Sequence, residues 1–232
     1  MKSKLNFLGI IAARFGSKGI KNKNFLSIKK KNIVKKAYEI ALKIKEIKRI
    51  VITSDSNKIL NLVPDHNKNF KIKRLKKLAL DNTPMLPVLE DAILQYEKKY
   101  ITKIDAIIIF DPTAPLRIKK DITDAISIFK RKKADLVVSV HDCQHNPYFS
   151  MLEKNGKYFK LSKNKYKNPG SRQEVPIVYE INTLAWIYSR YAIIKEKKRI
   201  PKKTVIFKTP YARSVDIDTN DDIDKINFYL KK

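Results

Sequence analysis

Cysteine occurs once among the 232 residues, at Cys143, so no disulfide can close within the chain. A lone thiol fits a reducing compartment, and a cytoplasmic location is the expectation. Glycine is also scarce, at five residues. No stretch approaches the roughly 20 consecutive apolar residues of a membrane span. The start, Met1-Lys2-Ser3-Lys4-Leu5, leads into an apolar run too brief and too soon interrupted for a signal peptide, so no membrane partner is expected. Acidic residues number 23 against 51 basic ones, a formal net charge of +28. That imbalance ordinarily signals nucleic acid or an anionic surface. Here lysines greatly outnumber arginines and are spread evenly among asparagines and isoleucines, whereas nucleic-acid binders concentrate arginine and aromatic residues on one face. Nucleic acid is therefore not the expected partner, and a basic nucleic-acid-binding module stands as the rival reading from a different class.

Two of the few glycines fall together, in Ala12-Ala13-Arg14-Phe15-Gly16-Ser17-Lys18-Gly19-Ile20-Lys21-Asn22-Lys23-Asn24, directly after an apolar run. Small residues let successive main-chain N–H groups form an anion-binding concavity. Arg14 can grip two phosphate oxygens through its planar fork, while Lys18, Lys21 and Lys23 act as movable point charges. The spacing is neither the phosphate-binding G-x-x-x-x-G-K-[ST] nor the dinucleotide-binding G-x-G-x-x-G. A basic surface loop is the bland alternative, but strand, glycines and clustered cations together point to a polyphosphate at a strand's carboxyl end.

Alternating strand and helix patterns organise the rest. Leu5 to Ala13 reads as a buried parallel strand, and Ile33, Ala37, Ile40, Ala41, Ile44 and Ile47 follow helical spacing. Strands are expected at Arg49 to Ser54, Phe70 to Leu75, Asp105 to Phe110 and Asp135 to Val140, with helices from Pro87 to Tyr96 and Lys120 to Arg131. This is the pattern of an α/β fold with a doubly wound, mainly parallel sheet. The length suits a single domain over 1–232 with a core large enough to need no staples. From about 142 to 178 the character changes to tyrosines, prolines and short β-like pieces, an excursion from that domain. Tyr179 to Tyr188 resumes the strand pattern. Asp111-Pro112-Thr113-Ala114-Pro115-Leu116-Arg117 is held by two prolines at a strand's carboxyl end, where open α/β sheets bind ligands. Ser214 to Asp218 reads as a last strand before a helix-start signature, Thr219-Asn220-Asp221-Asp222. On such a strand Asp216 and Asp218 would share one face, about 7 Å apart at their backbones. Two carboxylates completed by water and phosphate oxygens are how magnesium is held on a nucleotide. Acids that merely favour the positive end of a helix are the alternative.

Four segments, in order, resemble the cytidylyltransferases that activate sialic-acid-like nine-carbon sugars. Ala-Arg-Phe-Gly-Ser-Lys-Gly-Ile-Lys-Asn-Lys-Asn is similar to that family's A-R-x-x-S-K-G-x-x-x-K-N loop, and Asp111 to Arg117 to its L-Q-P-T-S-P-L-R. Ser171 to Pro176 resembles an arm segment with a sugar-binding arginine, and Ser214 to Thr219 resembles S-I-D-I-D-T. The resemblance implies transfer of CMP from CTP to the anomeric hydroxyl of a nonulosonic acid, with release of pyrophosphate. It implies Arg14 and Lys23 as the catalytic cations. It also implies Ala13, Arg14, Ser17, Lys18, Lys23, Asn24, Arg74 and Thr83 as nucleotide-binding residues and Asp216 and Asp218 as magnesium ligands. Asp111, Arg117, Arg172, Glu180 and Asn182 become the sugar-binding candidates. The excursion would be an arm that crosses to a second subunit, making a homodimer. A KDO-type or other sugar nucleotidyltransferase is the alternative within the fold. Where the sialate enzymes carry glutamine, arginine and an arm lysine, this chain has Asp111, Glu180 and Phe149, and the N-G-A-I-Y strand becomes Asn182-Thr183-Leu184-Ala185-Trp186. Two carboxylates in the sugar pocket would favour an acceptor other than N-acetylneuraminate, such as one bearing a free amine.

Overall fold

The first strand, β1 (Phe7–Ala12), reads as a continuous apolar run because both of its faces are covered. Phe7 and Ile11 join a core on one side of the sheet, and Leu8 and Ile10 join a second core on the other. The computed structural model describes residues 5–16, 19–164 and 169–231. After β1 come two very short strands, β2 (Ser27–Ile28) and β3 (Lys31–Asn32), then α1 (Ile33–Leu42), β4 (Ile47–Ser54), α2 (Asn57–Leu60) and β5 (Asn69–Lys73). The chain continues through α3 (Met85–Tyr100), β6 (Ala106–Ile109), α4 (Lys119–Lys132) and β7 (Leu136–Asp142). Last are β8 (Leu152–Asn155), β9 (Tyr158–Leu161), β10 (Tyr179–Ser189), β11 (Thr204–Lys208) and α5 (Asn220–Tyr229).

Seven strands form the main sheet in the order β11-β7-β10-β6-β1-β4-β5, with β10 antiparallel to both of its neighbours and the remaining pairings parallel. From β1 the chain moves outward to β4 and β5, and then returns to lay β6 on the opposite flank. That reversal opens a crevice beyond the carboxyl ends of β1 and β6, the switch point at which doubly wound sheets take ligands. Helices α1 and α4 pack on one face and α3 on the other.

Two expectations need correction. Ser214 to Asp218 belongs to no strand: it docks on the loop after β6 through Ile217 N–H donating to the Thr113 carbonyl at 3.0 Å. The sheet position is taken by β11, whose lysine-flanked Thr-Val-Ile-Phe pattern suits an edge. Helix α1 ends at Leu42, and Ile47 already lies in β4 opposite Phe7, so the last two isoleucines of the helical pattern are core residues of a turn and a strand. The excursion holds the hairpin β8–β9, with Leu152, Tyr158 and Phe159 exposed.

Candidate active site

The loop after β1 is tied down at both ends. Ala13 is buried and its N–H donates to the Thr53 carbonyl, Phe15 N–H donates to the Asp55 carboxylate at 2.8 Å, and the buried Asn24 amide donates to the Arg14 carbonyl at 2.8 Å. Ser17 and Lys18 lie outside the described residues. Gly19 is required by a close approach: a Cβ there would stand 2.5 Å from the Asp218 carbonyl oxygen. The glycine loop and the Asp-Ile-Asp segment are thus packed backbone to backbone. Asp218 is held in turn by Asp222, whose carboxylate accepts from the N–H groups of Asp218 and Thr219 and from the Thr219 hydroxyl. Burial opposes ionisation of Asp222, but these bonds and Lys225 outweigh it and pull its pKa down to about 2.

Above the switch point is a cavity of about 210 Å³ lined by Arg14, Gly16, Lys23, Asn24, Arg74, Leu80, Asp81, Thr83, Met85 and Asp111, among others. It gathers five of the sequence-derived nucleotide residues. Its cations are already paired within the chain, Arg14 with Asp81 and Lys23 Nζ with Asp218 at 2.7 Å. Arg74 is buried, with its guanidinium on the Thr53 carbonyl at 2.8 Å. Burial lowers its pKa to about 10, with Asp55 opposing and Arg14 assisting.

Asp216 is an acid whose ionisation the fold opposes. Burial, then Asp111, then Asp218 push its pKa from 3.8 up to about 6, with Thr113 and Lys23 offsetting part of the effect, and its Oδ1 is buried without a partner among the described residues. A desolvated carboxylate facing other carboxylates is a setting that a divalent cation relieves, so the residues fit magnesium. Among the described residues no group of three or more His, Cys, Asp or Glu could hold a metal. Such a site leaves magnesium's remaining positions to water and phosphate, as is usual for this ion. Asp218 is 71% exposed at its side chain and already bonded to Lys23.

A second cavity, of about 390 Å³, shares Met85 and Asp111 with the first and is otherwise lined by Pro84, Leu86, Leu89, Ile109, Thr183, Trp186, Tyr188 and Arg199. Of the sugar-binding candidates only Asp111 reaches it. Asn182 is buried: its side-chain oxygen accepts from Ser139 Oγ and Leu184 N–H, and its amide donates to Thr209. The Asn182 carbonyl accepts from the Trp186 indole at 2.7 Å. Arg117 is also buried, donating to the carbonyls of Thr183 and Leu184, and burial lowers its pKa to about 10. Both residues brace the register shift between Ile181 and Trp186 in β10, the bulge that sets Trp186 in the cavity wall. Glu180 lies 4.0 Å from His141 and is 57% exposed, and Arg172 is exposed in the excursion. The pair of carboxylates expected in one sugar pocket is therefore not formed within a chain, because Glu180 sits on the stretch of β10 ahead of the bulge. Trp186, Tyr188, Met85 and Arg199 line this cavity without having been singled out in the sequence, where only Thr183 and Trp186 stood out as departures from N-G-A-I-Y.

A family model described as cytidylyltransferase matches residues 8–227. The chain is 32% identical to "Post-translational flagellin modification protein B" of Campylobacter coli, over 96% of this chain and 94% of that protein. It is equally 32% identical to the CMP-N,N'-diacetyllegionaminic acid synthase of Campylobacter jejuni, over 95% and 93%. In three dimensions it is similar to a CMP:2-keto-3-deoxy-manno-octonic acid synthetase complexed with CTP, with a TM-score of 0.66 and 15% identity over 97% of this chain and 98% of that one. A fold resting on the β1–β6 crevice, a loop of glycines and cations at its mouth and a match along nearly the whole chain lead to one conclusion: the chain belongs to the cytidylyltransferase family and is a nucleotidyltransferase.

Proposed function

We propose that this enzyme transfers CMP from CTP to the anomeric hydroxyl of a nonulosonic acid and releases pyrophosphate. One observation carries the reading: the cationic cavity at the switch point adjoins a second, largely apolar cavity, with Asp111 and Met85 in the lining of both, so a nucleotide and a sugar would lie side by side there. The CMP-N,N'-diacetyllegionaminic acid synthase of Campylobacter jejuni named above supports the same acceptor class.

In this reading Arg14 turns from Asp81, and Lys23 from Asp218, to phosphate oxygens of CTP. Arg14, Ser17 and Lys18 hold the β- and γ-phosphates and Lys23 the α-phosphate, while Arg74 and Thr83 border the base. Asp216 and Asp218 are the residues that would hold magnesium, whose chemistry there is to offset charge gathering on the phosphates. The anomeric hydroxyl oxygen bonds to the α-phosphorus and gives its proton to solvent, as the bond from the α-phosphorus to the bridging oxygen breaks and that oxygen leaves on pyrophosphate. The protein's task is positioning and charge stabilisation. The arm, with Leu152, Tyr158, Phe159 and Ile177 exposed, would pack on a second copy in a homodimer and bring Arg172 of the partner subunit to the sugar. The need for CTP goes with a cytoplasmic site of action.

The test is pyrophosphate release with magnesium, each of the four ribonucleoside triphosphates being offered with a panel of nonulosonic acids and with KDO. Release with CTP and a nonulosonic acid is expected. Preference for KDO, or for a triphosphate other than CTP, would overturn the assignment.

A further inference from the structure

A third cavity, of about 280 Å³, lies against α1 and shares no lining residue with the two described above. Its cations come from three elements: Lys29 and Lys31 from the β2–β3 hairpin, Lys36 from α1, and Arg117 from the loop after β6. Glu39 is the one acid among the lining residues, and it is already bonded to Lys31 at 2.8 Å. Lys36 is half-buried and makes no hydrogen bond or ion pair among the described residues. Burial, then Lys31 and Lys29, lower its pKa, with Glu39 opposing. Arg117 is buried, and its partners are two main-chain carbonyls, bound through Nε and Nη2, and the Phe110 ring. No carboxylate neutralises it by contact, which leaves Nη1 to donate. The hairpin turn is held against preference: Lys29 and Lys30 are both left-handed, at φ 50° and 62°, where a two-residue turn ordinarily takes Asn-Gly. The Lys29 ammonium is fixed there by donating to the Leu230 carbonyl at 2.8 Å.

Like charges held around one cavity repel each other, and a bound anion removes the repulsion. The anion must be compact, because about 280 Å³ is at the small end of ligand pockets. A monocarboxylate brings a single charge to four cations, only one of which has an acid beside it. A phosphate monoester brings about 1.5 to 2 charges at pH 7 and three acceptor oxygens. Its carbon chain can lie on Ile28, Ile40, Ala114 and Pro115, which supply the apolar part of the wall. We propose that this cavity is a second anion site, for a phosphate monoester on a short carbon chain, and that its occupancy is felt in the apolar cavity through Arg117. The link is short: Arg117 pins the Thr183 and Leu184 carbonyls inside the register shift of β10, and Trp186 closes that shift in the apolar wall. A phosphate that draws on Nη1 acts on the same guanidinium.

The test is calorimetric titration of the protein with propyl phosphate and inorganic phosphate, with butyrate and propanol as singly charged and neutral controls. Propyl phosphate should bind tightest of the four. Lys36→Gln should weaken it at least about tenfold, the loss expected for one charge-assisted contact, and Lys36→Arg should recover most of the affinity. Arg14→Ala should leave the affinity within about twofold, because the nucleotide cavity has no wall in common with this one. Trp186 is the sole tryptophan, so its emission reports on the apolar cavity and on a sugar there without a label. Propyl phosphate should change that emission in the wild type and not in Lys36→Gln. An unchanged circular dichroism spectrum and melting temperature would show that the variants are folded. No binding up to about 10 mM, or binding lost in Arg14→Ala and kept in Lys36→Gln, would overturn the site, the second result by placing the phosphate in the nucleotide cavity. Equal affinity for butyrate would overturn the assignment to phosphate. Binding that Lys36→Gln abolishes, with no change in emission, would overturn the link through Arg117 and keep the site. None of these outcomes depends on CMP transfer, so the two readings stand or fall separately.

Discussion

Replacing Asp216 with asparagine should make the metal-free protein more stable and the enzyme inactive. The carboxyl group's pKa rises from 3.8 to about 6 on folding, so the unfolded chain ionises it more readily than the folded one. A raised acid destabilises the fold where it must be charged, and the penalty vanishes once both states are protonated. The displacement corresponds to about 3 kcal/mol at pH 7.5 and about 1 kcal/mol at pH 4.5. An amide keeps the shape, carries no charge and can donate to Asp111. For a chain of this length 3 kcal/mol is about 6 to 12 °C in Tm. The assay is thermal unfolding in a chelator at the two pH values, repeated with added magnesium, beside pyrophosphate release at pH 7.5. The variant should melt higher than the wild type at pH 7.5, with the gap narrowing at pH 4.5. Magnesium should stabilise the wild type and not the variant, and turnover should fall at least about 100-fold. A variant that melts lower at pH 7.5, or one that magnesium stabilises as much as the wild type, would refute the reasoning.

Gly19→Ala drives a methyl group against the Asp218 carbonyl, so urea unfolding should show a loss of about 1 to 3 kcal/mol, with a raised KM for CTP. Asn182→Ala leaves Ser139, Thr209 and the Leu184 N–H short of a buried partner. It should cost about 2 to 4 kcal/mol in denaturant unfolding and blunt Trp186's response to the sugar, whereas a direct sugar ligand would change KM with stability intact. Mixing Arg172→Ala with Asp216→Asn, each inactive alone, should restore about a quarter of full activity if subunits exchange and each site borrows the arm of its partner. No recovery after co-refolding would argue that each chain is self-sufficient.

The sequence by itself determined the elements whose signals are local. Buried parallel strands appear as apolar runs, and the glycine loop after β1 carries its chemistry in contiguous residues, so the sheet, its crevice and the family were legible there. The cap of α5 was legible for the same reason: Thr219 and Asp222 are three residues apart. Boundaries failed where one pattern ran into the next, as with Ile44 and Ile47, which keep helical spacing but are packed in a turn and a strand. Contacts between distant residues were decided only by the tertiary structure. Lys23 and Asp218 pair across 195 positions, and the Asp216 pKa depends on burial and on Asp111, neither of which a spacing of two residues encodes. Arg117 and Asn182 carried the look of ligand residues because both are polar and lie in motifs. Folding turns them inward to brace the β10 bulge, and the wall of the apolar cavity is formed instead by residues such as Trp186, Thr183 and Arg199, which the tertiary structure brings together.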